Sequence, residues 1–320
     1  MKKPIAGFSL VELMISITIG LVITLGISTS YINSKSNLQL QTALATLHID
    51  GQYALSLLIK DISNAGYFGE TGNIDWIAGT SSPVESNFSC SNTNEWGRMI
   101  GLPIYGLNDT NKINNKANYR KCISNGDYLR GDIVTVRMLS EHTVAENNVK
   151  LDKNKQKLYS ITAPDQGRIF QGKDLALNNF TSPAQNLREL HSNSYYIGPA
   201  IGHKFADCGG KTTPPSLFRE SLNKHGKPQR EELVQGIENL QIHYGIDTDG
   251  DGYVNQYTNA ALNLDWSTIV SARIWILVRA QCPETGFKNT NTYLLGDQKF
   301  IPDDGYRRLL LSSTVTLRHL

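Results

Sequence analysis

The N-terminal stretch from Phe8 to Ile32 constrains the fold of this chain more than any other feature. It is an apolar run in which Glu12 is the only charged side chain, and Lys2 and Lys3 precede it. As a helix, these roughly 25 residues would span about 37 Å, which is enough to cross a bilayer core of about 30 Å. The two lysines predict a cytoplasmic N-terminus, with the rest of the chain beyond the membrane.

Glu12 is the unusual residue of this run. An acid inside a membrane helix costs roughly 2.5–3.5 kcal/mol on insertion scales, so it usually has a partner or a function. Cleavage after Gly7 would supply a partner, because Phe8 would then carry a free α-amino group. That amine would lie about 6 Å along the axis from Glu12 in one helix, and it could also meet Glu12 of a neighbouring chain.

The residues GFSLVE at positions 7–12, behind a short basic leader, resemble the class III signal of type IV prepilins and of type II secretion pseudopilins. The resemblance implies that a prepilin peptidase cleaves between Gly7 and Phe8, that Phe8 is N-methylated, and that Glu12 docks the subunit into a growing filament. Two other interpretations remain open: an ordinary secretory signal cut near Ser28–Ser30, and a plain membrane anchor in which Glu12 is incidental.

After Ile32 the helical pattern becomes amphipathic. Apolar residues recur at spacings of three and four, with one turn skipped at Gly51: Leu40, Leu44, Leu47, Ala54, Leu58, Ile62 and Ala65. The pattern predicts that residues 33–65 continue the helix, pack one stripe on a sheet and stop at Gly66. The alternative is two helices with a break near Asn33–Lys35.

The remaining residues, 66–320, read as a β-rich globular domain. Residues 66–127 are rich in Gly, Asn, Ser and Thr and predict a long irregular insertion. We expect its aromatic residues to anchor it to the core, the alternative being contact with a partner: Trp76, Phe88, Trp96 and Tyr105. Alternating patterns then predict strands near residues 131–138, 157–162, 195–201, 216–222, 268–280 and 309–317, and one strand or a bent pair of strands at 231–245.

These elements predict an α+β fold with a long N-terminal helix on a mainly antiparallel sheet with long loops. This layout matches that of pilins. We divide the chain into a leader at residues 1–7, a membrane and assembly helix at 8–32, its amphipathic continuation at 33–65, and an exported domain at 66–320.

A second motif lies at residues 247–255, DTDGDGYVN. Its first half matches an EF-hand calcium loop, since alternate carboxylates converge on one point and glycine permits the turn. The expected ligands are Asp247, Asp249, Asp251, the carbonyl of Tyr253, and Asn255. The twelfth position is Thr258 instead of glutamate and no helix is predicted before the loop, so a residue elsewhere such as Asp265 would have to close the site. The alternative is a solvated Asp/Gly turn.

The four cysteines are widely spaced, which excludes a zinc-like pairing and, in an exported domain, favours two disulfides. Three pairings are open, and we favour Cys90–Cys122 with Cys208–Cys282 because the first pair brackets one insertion. A net charge of +2 implies no nucleic-acid partner. The chain has no G-x-S-x-G, no H-E-x-x-H and no phosphate-binding glycine loop, and its seven histidines are scattered, so we expect no enzyme.

The C-terminal part resembles the PilW family of minor pilins, which is similar to the J-type pseudopilins. The resemblance covers the N-terminal helix and about the last 90 residues, while residues 66–223 carry no signature. It rests on residues 231–233 and 236–240, on 244–252, on Asp265-Trp266, and on Arg307-Arg308 before a final strand. One departure is Thr29, where many major pilins have a proline that kinks the helix.

The PilW resemblance implies a low-abundance subunit that joins other minor pilins, primes pilus assembly and sits at the fibre tip. Its expected partners are the prepilin peptidase, other minor pilins, the major pilin and a PilY-type tip adhesin. Its expected location is the inner membrane, then the pilus fibre. Two alternatives remain: a type II secretion minor pseudopilin, and a membrane-anchored periplasmic calcium-binding module that never assembles.

Overall fold

The computed structural model of the protein describes residues 9–83, 93–108, 123, 126–151, 154–177, 185–201, 213–260 and 264–318. The chain divides into two compact units, Met1–Thr46 and Leu47–Leu320. The division falls inside the first helix, and each unit is described by itself.

The first helix, α1, spans Leu10–Ser63 without interruption, so the predicted alternative of a break near Asn33–Lys35 is wrong. It ends just before Gly66, whose φ of 84° is the left-handed conformation that glycine adopts at the end of a helix. Its N-terminal part is long and apolar enough to cross a membrane. Within the second unit its apolar stripe is buried, at Leu47, Ala54, Leu55, Leu58 and Ile62.

The described strands of the second unit are, in chain order, β1 (Ile77–Ala78), β2 (Ile104–Leu107), β3 (Arg130–Thr143), β4 (Leu158–Ala163), β5 (Gln166–Gln171), β6 (Asn186–Pro199), β7 (Pro215–Leu222), β8 (Pro228–Gln235), β9 (Ile237–Ile246), β10 (Gln256–Thr258), β11 (Ile269–Arg279), β12 (Tyr293–Leu295), β13 (Gln298–Phe300) and β14 (Arg308–Thr316). Two short helices, α2 (Thr93–Gly97) and α3 (Glu146–Val149), and three 3₁₀ turns lie between them.

The strands form two main sheets and a hairpin. The larger sheet has the order β1-β5-β4-β6-β3-β2, with β7 on β6 and β8 on β7. The smaller sheet has the order β10-β9-β11-β14, and all its pairs are antiparallel. The β12–β13 hairpin is separate. Only β1–β5 pairs in parallel among the described strands, so the sheets are mainly antiparallel as the sequence predicts.

One apolar cluster joins the helix to both sheets. It contains the α1 stripe, Val134 and Val136 of β3, and alternate residues of β9 and β11. Gly51 lies in this contact, because a Cβ added there would be 2.5 Å from Leu311 Cδ1 and 2.8 Å from Val278 Cγ2. Helix and sheet therefore approach each other closely at the helical turn that the apolar pattern skips.

The structure corrects several details of the sequence analysis. Of the two alternatives for the segment 231–245, the pair of strands is confirmed: β8 and β9 are separated by Gly236 with φ 83°. Strands β2, β5, β12 and β13 were not predicted, and β6 begins nine residues earlier than expected. Trp96 is fully buried and Tyr105 packs on Trp266 at 4.8 Å, whereas Trp76 is 51% exposed; Phe88 lies outside the described residues.

Candidate functional site

The N-terminus of α1 is built around Glu12. Its Oε2 atom accepts a hydrogen bond from the backbone N–H of Ser9 at 2.9 Å, while Ser9 Oγ accepts from the N–H of Val11 at 3.3 Å. This is a capping box, in which two N–H groups without a helical partner are satisfied by side chains. The carboxylate also lies in the first turn, where the helix dipole favours negative charge.

The rest of the apolar part of α1 offers no polar group that competes with Glu12. The hydroxyls of Ser16, Thr18, Thr24 and Thr29 donate to carbonyl oxygens three or four residues earlier in the helix. The apolar side chains from Leu10 to Ile32 are more than half exposed. The helix therefore presents a continuous apolar surface with one carboxylate near its start.

Sequence reasoning singled out Glu12 but missed Ser9. The signal was present, because Ser-x-x-Glu immediately before an apolar run is the sequence signature of a capping box. Gly7 and Phe8, the expected cleavage site and methylated residue, lie outside the described residues. Thr29, at the position where many major pilins have a proline, lies inside the unbroken helix, and its hydroxyl donates to the carbonyls of Leu25 and Gly26.

The loop after β9 brings the three predicted aspartates together. Carboxylate oxygens of Asp247, Asp249 and Asp251 all lie within 4.8 Å of one another. Asp247 accepts backbone N–H groups from Gly250 and Gly252, each at 2.7 Å. These backbone bonds, with that from Gly252 the largest, hold the pKa of Asp247 below its usual value. These backbone bonds therefore favour the ionised form of Asp247.

Two other expected members of this site, Asn255 and Asp265, make hydrogen bonds of their own. Asn255 Oδ1 accepts the N–H and the hydroxyl of Thr248, at 2.6 and 3.0 Å. The side chain of Tyr253 is 76% exposed. Asp265 caps the 3₁₀ turn at Trp266–Thr268, where it accepts the N–H and hydroxyl of Ser267. Three converging carboxylates fit a hard cation such as Ca²⁺, but they supply only half of its usual oxygen ligands.

Of the four cysteines, only Cys282 lies among the described residues, and it is disulfide-bonded. Cys90, Cys122 and Cys208 lie outside them. The pairing of Cys90 with Cys122 and of Cys208 with Cys282 stays a prediction.

Two polar cavities of about 210 and 220 Å³ share His191, Asn193 and Arg219 in their linings. His191 lies where one edge of β6 changes its partner from β4 to β7. Burial lowers the pKa of its imidazole. The adjacent Ser192 donates its hydroxyl to the carbonyl of Gly97 at 2.9 Å, and is therefore not activated by the imidazole.

A buried ion-pair cluster lies where two segments of the C-terminal motif meet. Arg308, at the start of β14, binds Glu238 of β9 and Asp304, each through two nitrogen–oxygen contacts. Arg279 of β11 approaches Glu238 to 3.7 Å. The sequence motif is therefore structural at these positions, since its acid and its arginine are partners.

Comparisons with known proteins agree with both ends of this description. A family model described as type IV pilus-assembly protein W matches residues 195–319, and a model of the prokaryotic N-terminal methylation motif matches residues 2–28. The first match begins inside β6, so it reaches further toward the N-terminus than the resemblance seen in the sequence. No curated protein matches the chain.

One solved structure that is similar to the chain is a type IV-like pilin from Thermus thermophilus. The identity is 13% and the TM-score 0.38, over 85% of this chain and 96% of that one. An identity and a TM-score this low support no conclusion about the fold or the function of the chain. The chain is therefore similar to the PilW family of type IV pilus-assembly proteins over residues 195–319, and it carries the prokaryotic N-terminal methylation motif over residues 2–28.

Proposed function

We propose that the protein is a minor pilin that helps to initiate assembly of a type IV pilus and sits in a minor-pilin complex at the fibre tip. The observation that carries the proposal is the state of Glu12. Its Oε2 atom is held by the chain itself, and Oε1 has no partner among the described residues. That oxygen is free to accept a positive group from a neighbouring subunit.

The positive group would be the α-amine of a neighbouring subunit. A prepilin peptidase would release it by cleaving between Gly7 and Phe8, and would then methylate Phe8. The match to the N-terminal methylation motif over residues 2–28 supports this processing. In a low-dielectric setting an amine and a carboxylate attract strongly, so the pair would fix the axial position of the incoming helix.

The size of the second unit supports a role as a minor pilin. Residues Leu47–Leu320 form one unit with two sheets, which would pack poorly at every position of a dense helical shaft but fits at a tip. The expected partners are other minor pilins, the major pilin and a PilY-type adhesin. Before assembly the apolar part of α1 would anchor the chain in the inner membrane, with the large unit in the periplasm.

The main alternative, a minor pseudopilin of type II secretion, would use the same chemistry in another machine. The family match is to a pilus-assembly protein, which favours the pilus. We propose no catalytic role for the protein.

The test combines processing and incorporation. In cells, the mature chain should begin at methylated Phe8, as measured by the mass of its N-terminal peptide. Glu12→Gln keeps the capping acceptor but removes the charge, so it should be cleaved normally and be lost from sheared fibres. Glu146→Gln, an exposed acid on α3, is the control and should be incorporated normally. A start at Met1, or full incorporation of Glu12→Gln, would contradict the proposal.

We also propose that the loop at residues 247–255 binds Ca²⁺. Support comes from the match of Asp-x-Asp-x-Asp-Gly to the first half of a calcium loop and from the convergence of the three carboxylates within 4.8 Å. Bound calcium would stiffen the turn between β9 and β10 on the exported domain. A rise in Tm with CaCl₂ that Asp249→Asn reduces tests this proposal.

A further inference from the structure

The β14 strand forms one edge of the smaller sheet, and its backbone bonds show which residues face outward. The backbone N–H of Leu317 donates to the carbonyl of Val270, and the N–H of Ala280 donates to the carbonyl of Arg307. Both pairs follow the β11–β14 register, which runs without a bulge from Ser271/Thr316 to Arg279/Arg308. Since bonding direction alternates along an antiparallel strand, the odd-numbered residues of β14 bond to β11. The even-numbered residues then point their N–H and C=O groups away from the sheet: Leu310, Ser312, Thr314 and Thr316.

This edge lacks the usual protection against strand pairing. Natural edge strands are short, bulged, or carry charges and proline. From Leu309 to Thr316, β14 has no charged residue, no proline and no glycine. By contrast, the edge strand β8 contains Pro228 and three charged residues, and β1, β2 and β10 have four residues or fewer. Among the described strands, β14 is therefore the long edge strand with no strand paired to its outer side.

The two sides of β14 define the strand that would fit beside it. On the helix side, Leu309 and Leu311 are half-buried and pack on the core. On the other side, the hydroxyl side chains of Ser312, Thr314 and Thr316 are exposed. An added strand would therefore be uncharged, with apolar residues facing α1 and small polar or β-branched residues facing solvent. A charged partner would lose hydration with no opposite charge to meet.

A second copy of this chain fits the edge poorly. Two copies that paired β14 with β14 in antiparallel fashion would be related by a two-fold axis perpendicular to the sheet. Such an axis reverses every direction that lies in the sheet plane. The part of α1 that lies on the sheet face, from Leu47 to Ser63, would then run in opposite directions in the two copies. Subunits of the proposed filament share one orientation, so two copies within it cannot adopt that arrangement.

We infer that the open edge of β14 is the docking site for an extended strand of a different subunit of the pilus, which extends the smaller sheet by β-strand addition. This inference rests on the proposed function, because the partner is a component of the same assembly. The outward N–H and C=O groups of Leu310, Ser312, Thr314 and Thr316 give the affinity. The neutral side chains select the partner strand.

A matched pair of substitutions at one residue isolates the backbone contribution. Thr314→Pro removes an outward N–H but leaves the bonds to β11, as proline permits at an edge. Thr314→Ala removes the side chain and keeps the N–H. In full-length chains expressed in cells, Thr314→Pro should lower the amount of this protein in sheared fibres by about tenfold, because a strand bond is lost and the ring blocks approach. Thr314→Ala should stay within about twofold of the wild type.

A second variant and a direct readout keep the test independent of folding defects. Ser312→Lys places a charge on the edge and should reduce incorporation, whereas Ser312→Thr should not. Hydrogen exchange of the amides of Leu310, Ser312, Thr314 and Thr316 should be fast in the detergent-solubilised chain and at least about tenfold slower in sheared fibres. Equal exchange in both states would overturn the inference, as would normal incorporation of Thr314→Pro and Ser312→Lys.

The test of the β14 edge and the test of the proposed function can fail independently of each other. If Glu12→Gln is lost from fibres while Thr314→Pro is incorporated normally, the edge inference fails and the pilin proposal stands. If Glu12→Gln is incorporated normally, the pilin proposal fails. A dimer of the solubilised chain that Thr314→Pro abolishes would overturn the choice of partner, because the edge would then bind a second copy.

Discussion

Glu238 and Arg308 form a two-point ion pair that joins β9 and β14, the two strands on either side of β11. The contacts are Nε to Oε2 at 2.5 Å and Nη2 to Oε1 at 3.1 Å, and the two side chains are 4% and 1% exposed. Asp304 meets the same guanidinium at 2.6 and 2.7 Å. A planar guanidinium is suited to such two-point contacts, whereas lysine is not.

Breaking this pair on one side should be costly. Glu238→Gln would leave Arg308 buried with one carboxylate instead of two, so we expect the free energy of unfolding to fall by about 3 kcal/mol. Urea unfolding of the solubilised full-length chain at 25 °C measures this loss. The control is Asp303→Asn, which removes the exposed Lys288–Asp303 pair and should cost less than about 0.5 kcal/mol. Equal losses in the two variants would contradict the importance of burial.

The same cluster predicts a response to acid. The hydrogen bond from Arg308 holds the pKa of Asp304 below its usual value. A carboxyl with a depressed folded-state pKa stabilises the fold above its unfolded pKa of about 3.9, and the stabilisation is lost as pH falls through the folded pKa. Wild type should therefore lose more stability than Asp304→Asn when denaturation is compared at pH 6 and pH 3. Parallel pH profiles would show that Asp304 does not contribute.

Glu220 of β7 predicts the opposite pH dependence. Its side chain is buried, with 4% of the residue exposed, and burial raises its pKa to about 7. Its folded pKa lies above the unfolded value, so its contribution falls as pH rises from about 4.5 to 7 and is constant above. Glu220→Gln should therefore be more stable than wild type at pH 8, by on the order of 1–2 kcal/mol after allowance for solvent screening, and about equal at pH 4.5.

Thermal unfolding at the two pH values checks this expectation for Glu220. Glu231→Gln is the control, because Glu231 belongs to the neighbouring strand β8 and its side chain is 52% exposed. It should change stability by less than about 1 kcal/mol at both pH values. A Glu220→Gln variant that is no more stable than wild type at pH 8 would mean that the carboxyl is solvated.

Local patterns predicted the long helix and the main strands because their signals are periodic. The contacts that tie them together were not predictable, because they join distant residues: Glu238 and Arg308 are 70 positions apart, and either could have been a surface charge. The β12–β13 hairpin has three-residue strands, too short for an alternating pattern. The capping box at Ser9 and Glu12 was readable from the sequence but was missed, whereas the alternate spacing of the three aspartates predicted their convergence correctly.

Gly51 shows how an apparent gap in a pattern can mark a contact. Since a Cβ there would meet Val278 Cγ2 at 2.8 Å, Gly51→Leu should overpack the helix–sheet contact and destabilise the chain by about 2 kcal/mol. Adding Leu311→Ala should recover part of that loss by making room. Gln52→Leu, on the exposed side of the same helix, should be within about 0.5 kcal/mol of wild type. A neutral Gly51→Leu would indicate that the helix shifts without cost.

The calcium loop gives a prediction that separates a cation site from a plain turn. If the loop binds Ca²⁺ with an affinity near 10 µM, 1 mM CaCl₂ stabilises the folded chain by about 2.7 kcal/mol, which should raise Tm by several degrees. Asp249→Asn removes one exposed carboxylate of the cluster and should reduce that shift by at least half. Asp303→Asn, an exposed acid outside the loop, should keep it.

Differential scanning fluorimetry of the solubilised chain measures these shifts, with MgCl₂ at equal ionic strength as the ion control. Mg²⁺ requires a small octahedral site and should shift Tm less than Ca²⁺. An equal shift with Mg²⁺, or with Asp249→Asn, would place the effect outside this loop. No shift at 1 mM Ca²⁺ would mean that backbone N–H groups, those of Asp249, Gly250 and Gly252, hold Asp247 without a cation, as in an ordinary turn.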